Sequence, residues 1–250
     1  MEADPELADY VLRLGDDALV TSQRLCEWCA QAPFLEEDIA LANIGLDYLG
    51  RARLLLQYAG ELLGRSEDDL AYQRDGHEFR NLLMVELPRG DFAFTMVRQY
   101  LLDVYERSYF TELQHSSDER LAAIAGKAVK EVGYHHRRSA EWMRRLGLGT
   151  DESNARSQVA LNELWAFVAE FFVMDDVEKS LVVRGVAVDR VTLKSTWSAG
   201  VEALLSEVNL TVPEYDPYQT GGRQGVHTEY LGHMLTEMQT LQRRYPGLEW

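Results

Sequence analysis

The segment Lys130-Glu131-Val132-Gly133-Tyr134-His135-His136 places a carboxylate and an imidazole four residues apart, a separation that puts both on one side of a helix. Such a pair can chelate a metal when a third ligand converges on it. The fuller arrangement is two metals held by carboxylates inside a four-helix bundle. It needs a Glu from each of two helices and Glu-x-x-His from each of the other two, because a spacing of three turns both ligands toward the bundle axis. Three residues before His135 stands Val132, and Glu131 lies one place early. Asp47-Tyr48-Leu49-Gly50 has a carboxylate where the Glu belongs and glycine where the His belongs. Asp103 is a further candidate, although Arg107 follows it at i+4 as an ion-pair partner. Asp47, Asp103, Glu131 and His135 therefore read as a buried polar cluster whose members satisfy one another across a bundle, not as a complete di-iron site. The competing reading is an autonomous di-metal oxidase or oxygenase that uses Asp103, Glu131 and His135 with unusual spacing.

Other reactive residues are less organised. Cys26 and Cys29 form a Cys-x-x-Cys, but neither a preceding strand nor a second pair is present, so both are expected as reduced thiols on a helix. Glu229 and His233 repeat the four-residue spacing near the C-terminus, where solvation is the simpler expectation. Arg137, Arg138, Arg144 and Arg145, next to His136, make a basic patch that could dock an acidic partner or the phosphates of a nucleotide-like ligand. The simpler account is a helix C-terminal half in which cations complement the dipole. Gly221-Gly222-Arg223-Gln224-Gly225 has neither a strand before it nor a lysine, so it reads as a loop.

Long helices must position these residues. Leu7, Val11, Leu14, Ala18, Thr21, Leu25 and Trp28 alternate spacings of four and three, predicting a first helix that ends near Pro33, with Asp16 and Asp17 beside its seam. A second helix is expected from about Leu35 to Leu63, a third from Asp91 to Gln114 and a fourth from Asp118 to Leu146. The fourth carries the seam Leu121, Ala125, Ala128, Val132, His135, Ser139, Trp142 and Leu146. Short links join the first pair and the last pair, whereas the stretch from Gly64 to Gly90 separates them. Two hairpins with a long central crossover make the ferritin-like topology. Further helices are expected over Asn154 to Met174, Asp175 to Gly185, Asp189 to Glu207 and Thr228 to Arg244. The fold class is all-α, a single domain over 1–250, with a core bundle at about 7–147 and a C-terminal helical extension at about 150–250.

Composition narrows the function classes. The 250 residues carry 25 Lys and Arg against 41 Asp and Glu, and the net charge of −16 repels nucleic acid and anionic lipid. The greasiest stretch, Ile39 to Leu56, is interrupted by Asp47, Arg51 and Arg53, so no bilayer span is expected. The opening Met-Glu-Ala-Asp-Pro-Glu lacks the basic and apolar regions of an export signal, which points to the cytoplasm.

Several segments together resemble a known family. They are Tyr10 to Asp16, Ser22 to Leu25, Ala40 to Asp47, Arg98-Gln99-Tyr100, Lys127 to Glu131 with Tyr134-His135, Thr220-Gly221-Gly222, His227-Thr228-Glu229 and Pro246 to Trp250. In order and without large gaps, from about Asp9 to the last residue, they resemble the C subunits of bacterial ring-1,2-phenylacetyl-CoA epoxidases. That resemblance implies a multicomponent monooxygenase that uses O2 and NADPH to epoxidise the aromatic ring of phenylacetyl-CoA in aerobic phenylacetate breakdown. It implies a di-iron catalytic A subunit as partner, a reductase subunit with FAD and an iron-sulfur cluster, and a ferritin-like C subunit that holds no cofactor and supports the catalyst. A homodimer is an option for the chain alone. Val132 and Gly50, in the places of ligands, are what such a non-catalytic relative should show.

Overall fold

Aspartates begin half of the α-helices. Asp4, Asp91, Asp118, Asp175 and Asp189 each precede a helix, and each side chain accepts a hydrogen bond from a backbone N–H of the first turn at 2.8 to 3.1 Å. An otherwise orphaned donor is satisfied each time. Ser66 and Thr150 do the same through reciprocal capping boxes. The computed structural model describes residues 4–248. Met1 to Ala3 of the acidic opening segment, and Glu249-Trp250 of the C-terminal match, lie outside the described residues.

Among the described residues the chain is all-α, with ten α-helices and no strand. They are α1 (Pro5–Cys26), α2 (Leu35–Leu63), α3 (Glu67–Tyr72), α4 (Leu83–Glu86), α5 (Phe92–Leu113), α6 (Glu119–Gly147), α7 (Asp151–Trp165), α8 (Asp176–Val183), α9 (Arg190–Glu207) and α10 (Glu229–Arg244). The connectivity follows the ferritin-like order of hairpin, long crossover and hairpin, with α1 packed on α2 and α5 packed on α6. No helix among the described residues is long and apolar enough to cross a membrane. The chain groups into two compact units, one running to Pro88 and resuming at Thr220, the other spanning Arg89–Gln219. The segment after residue 150 is thus divided between them.

In the first unit, α1 buries its whole four-three stripe, Leu7, Val11, Leu14, Ala18, Thr21 and Leu25, and buries Arg13, Asp16 and Arg24 as well. Glycine sets how closely α2 approaches: a Cβ at Gly45 would stand 3.0 Å from the Cys26 sulfur, and Ser22 Oγ donates to the Gly45 carbonyl at 2.7 Å. The first helix stops at Cys26 and does not reach Pro33. Beyond it the chain closes i→i+3 turns, Cys29 N to Cys26 O at 3.0 Å and Gln31 N to Trp28 O at 2.8 Å, and Ala30 takes a positive φ of 63° that a right-handed helix cannot contain. Only Cys26 of the two thiols is therefore helical. Burial and the neighbouring Cys29 push its thiol pKa up. The crossover is not a bare loop either, since it folds into α3, α4 and a short 3₁₀ turn at Gly76–Glu78, with Leu82, Leu83, Met84 and Val85 all buried.

The second unit is built on α5 and α6. On α6 the stripe Leu121, Ala125, Ala128, Val132, His135 and Ser139 is buried as spaced, but at the far end Trp142 and Leu146 are only half-buried and the buried positions pass to Met143 and Gly147. An α-helix has 3.6 residues per turn, so a strict 3.5-residue seam drifts around its surface over eight turns. The helix expected over Asn154 to Met174 is instead α7 followed by a 3₁₀ segment at Val168–Phe172. The Ala166 carbonyl, which would continue α7, accepts from Tyr218 N and Gln219 N at 3.1 and 2.8 Å. The aromatic rings beyond it pack on their neighbours: Phe171 stacks on Tyr105 at 4.7 Å, and Phe172 meets Trp197 edge-on at 5.5 Å.

Candidate functional site

The residues singled out for chemistry have different fates. Asp103 is wholly buried on α5, and both its oxygens are engaged: Gln99 Nε2 donates to Oδ1 and Ser139 Oγ to Oδ2, each at 2.7 Å. The expected partner Arg107 is exposed and plays no part in these bonds. His135 is also wholly buried, one turn before Ser139 on the same face of α6. Glu131 is half-buried, and Lys127 Nζ reaches it along the helix at 3.4 Å. Val132, which stands where a ligand Glu would, is sealed in the core. Asp47 lies half-buried on α2 in the first unit. Among the described residues, no group of three or more His, Cys, Asp or Glu is gathered as a metal-holding set. A carboxylate whose oxygens already accept hydrogen bonds from an amide and a hydroxyl serves as a fastening between α5 and α6. Glu229 and His233 are both exposed.

The basic residues are partly neutralised. Arg144 forms a forked pair with Glu207 of α9 at 2.7 and 3.1 Å, which lowers the Glu207 carboxyl and raises the guanidinium. Arg145 reaches Glu141 at 3.3 Å and lies over the Trp142 ring at 5.1 Å. Burial, with Arg145 nearby, pushes Arg138 down to about 10. Arg137 is exposed. Between α5, α6 and α9 a groove of about 680 Å³ is lined by Tyr100, Arg107, His136, Arg144 and Glu207 among others. Burial and then the charges of Arg107, Arg144 and Arg137 hold the His136 imidazole below the usual histidine range. Tyr100 stacks on it at 5.9 Å, donates its hydroxyl to the Gly200 carbonyl at 3.1 Å, and is pushed up to about 12 by burial.

The densest polar network lies where pattern reading saw only flanking positions. Asp16, fully buried, accepts from both terminal nitrogens of Arg74 and from the Arg80 backbone N–H, two of these at 2.9 Å. Asp17 accepts from Leu82 N at 2.7 Å and from Arg223, whose two terminal nitrogens reach Oδ1 and Oδ2 at 3.0 and 2.7 Å. Arg223 comes from the glycine-rich loop. Gly225 takes φ +77° there, and a Cβ would fall 2.2 Å from the His77 carbonyl oxygen, so this position must lack a side chain. The loop seats an arginine on α1 and does not cradle a phosphate. The sequence offered a local cation instead, since Arg13 stands three residues before Asp16 and four before Asp17, and nothing in it pointed to Arg74 or Arg223.

Glu86 completes the network. Its carboxylate accepts from Thr228 N at 2.6 Å and Asn81 Nδ2 at 2.8 Å, and it faces His227 Nδ1 at 2.7 Å, while His227 Nε2 faces the Phe79 carbonyl at 2.9 Å. Both ring nitrogens meet oxygen acceptors, so the imidazolium alone satisfies them. Burial would lower the pKa of His227, but Glu86 and the Phe79 carbonyl raise it above the ordinary value. A raised folded value stabilises fully below the unfolded value of about 6.5, and the contribution fades as pH rises through the folded value. Wild-type protein is therefore expected to exceed His227→Gln in melting temperature by more at about pH 5.5 than at about pH 8.5. Parallel curves across that window would refute the assignment.

A family profile described as "Phenylacetic acid catabolic protein" matches residues 1–250. The chain is 53% identical over 246 residues to the C subunit of the 1,2-phenylacetyl-CoA epoxidase of Escherichia coli strain K12, an alignment that covers 98% of this chain and 99% of that protein.

Proposed function

Because this chain belongs to the phenylacetic acid catabolic protein family, we propose that it is the structural C-type subunit of a phenylacetyl-CoA 1,2-epoxidase complex acting in phenylacetate degradation. The observation that carries the reading is the 53% identity to an epoxidase C subunit along nearly the whole of both chains. The partner is the di-iron catalytic subunit. The complex draws its electrons from a reductase with FAD and an iron-sulfur cluster, and it works in the cytoplasm. The chain itself binds no metal and turns over no substrate. Its residues support that role: Asp103 is spent on Gln99 and Ser139, Val132 fills a ligand position with a methyl-bearing side chain, and Glu131 pairs with Lys127.

Metal analysis and co-elution test this directly. The purified chain is expected to hold iron far below one equivalent and to consume no oxygen with phenylacetyl-CoA and reductant. Co-expressed with the catalytic subunit, it is expected to elute as one species with it. Near-stoichiometric iron that disappears on replacing Asp103 and His135, or independent elution at micromolar concentration, would overturn the proposal.

A further inference from the structure

The second helix has two apolar faces, and only one of them is buried. One side packs Leu41, Ile44, Tyr48, Ala52, Leu55 and Leu56 inward. About 130° farther round the helix, at about 100° per residue, Leu35, Ile39, Leu46 and Leu49 stand 72%, 54%, 59% and 40% exposed, with Ala42 half-buried between them. Their positions, 35, 39, 42, 46 and 49, alternate spacings of four and three, the seam that one helix offers another at a shallow crossing angle. A surface helix would ordinarily be polar there. The exposed apolar area is on the order of several hundred Å², at the upper end of what an ordinary monomer leaves to water.

The start of α2 breaks a local rule in the same direction. Phe34 occupies the N-cap, where a Ser or Asp would satisfy a free N–H, and makes no side-chain cap; its ring is 60% exposed. The chain forgoes a stabilising cap and gains apolar surface contiguous with Leu35. Such a departure from local consistency is characteristic of a functional surface.

We propose that this face of α2 is the docking surface for the catalytic subunit, which meets it with an apolar face of one of its own helices. The proposal rests on the reading of this chain as an epoxidase subunit. Charge argues for that occupant over a second copy. The chain carries a net −16, and Glu36 and Asp38 flank the start of the stripe. Arg53, the next position along it, is tied to Glu67 at 3.1 Å. A second copy would bring more carboxylates against these and no spare arginine on the stripe, whereas a less acidic partner would avoid that repulsion. The area fits too, since the apolar stripe supplies the centre of a standard interface of about 800 Å² per side, with polar residues left for its rim.

The double variant Ile39→Asp/Leu46→Asp tests the surface. Both side chains are exposed in the isolated chain, so its melting temperature should match wild type, while affinity for the purified catalytic subunit should fall about a hundredfold or more, because docking would bury two unpaired carboxylates. Val183→Asp, at an 89% exposed position on α8, should bind as wild type does. Undiminished binding by the double variant, beside a wild-type complex that does form, overturns the surface and leaves the subunit reading standing. Absence of any wild-type complex overturns both. A dimer of the isolated chain that the double variant splits, with binding to the catalytic subunit retained, assigns the face to a second copy and overturns the proposal.

Discussion

Asp16→Ala is expected to destabilise the first unit by about 3–5 kcal/mol, the range for removing one partner of a buried ion pair. Arg74 is itself buried, with its side chain 2% exposed, and its guanidinium lies over the Phe79 ring at 4.1 Å. Without Asp16, it retains only the Leu70 and Glu78 carbonyls, while the Arg80 N–H loses its acceptor. The remaining charge must either stay uncompensated or pull the crossover away from α1. Hydrogen exchange reads this directly: amides of α1 and of residues 74–82 should lose protection while those of α9 keep theirs. Asp16→Asn should recover part of the loss, because it removes the charge but keeps an acceptor. Asp17→Ala should cost less, since its side chain is 15% exposed and water can reach the stranded arginine. An Asp16→Ala protein with wild-type protection in α1 would show that the pair contributes no net stability.

The second large effect is expected in the other unit. Arg190, 1% exposed, begins α9 and donates to the carbonyls of Glu170, Phe171 and Val173 and to Glu178 Oε2, the last at 2.6 Å. The 3₁₀ segment that follows α7 leaves its carbonyls without helical partners, and this one planar guanidinium gathers them. Arg190→Ala strands those acceptors together with the Glu178 carboxylate, which is only 3% exposed. A loss of about 3–5 kcal/mol is expected, seen as lost protection in α8 and α9. Arg190→Met, which restores bulk without charge, should remain nearly as damaged, because packing volume does not satisfy oxygen atoms. If the methionine variant regains wild-type stability, the role of Arg190 is to fill space and the hydrogen-bond account fails.

Much of this architecture could be read from periodicity and caps. The bounds of α2 were legible to the residue, and those of α5 and α6 to within one residue of Asp91 and Asp118, because a capping aspartate and a run of apolar positions act within one or two turns. The end of α1 was not legible, since Ala30 carries no glycine or proline signal for its positive φ. Nor was the early end of α7, where a carbonyl is taken by backbone N–H groups more than fifty residues away. At the candidate site, the absence of Glu at 132 and of His at 50 could be seen directly. The pairing of Asp103 with Ser139 required the register of two helices, and spacing had suggested Arg107 instead.

Local patterning was therefore sufficient for the class of fold, the long helices and the mismatch between this chain and a complete di-metal ligand set, because each depends on contacts or identities close in sequence. Tertiary structure decided which charges matter. Asp16 and Asp17 differ little from solvent-facing helix carboxylates until the crossover brings Arg74 to one and the C-terminal glycine loop brings Arg223 to the other, 58 and 206 residues away. It also decided which apolar face of α2 is core and which is left outside. Amphipathic spacing marks a helix face that prefers to leave water, but only packing determines whether this chain or another covers it.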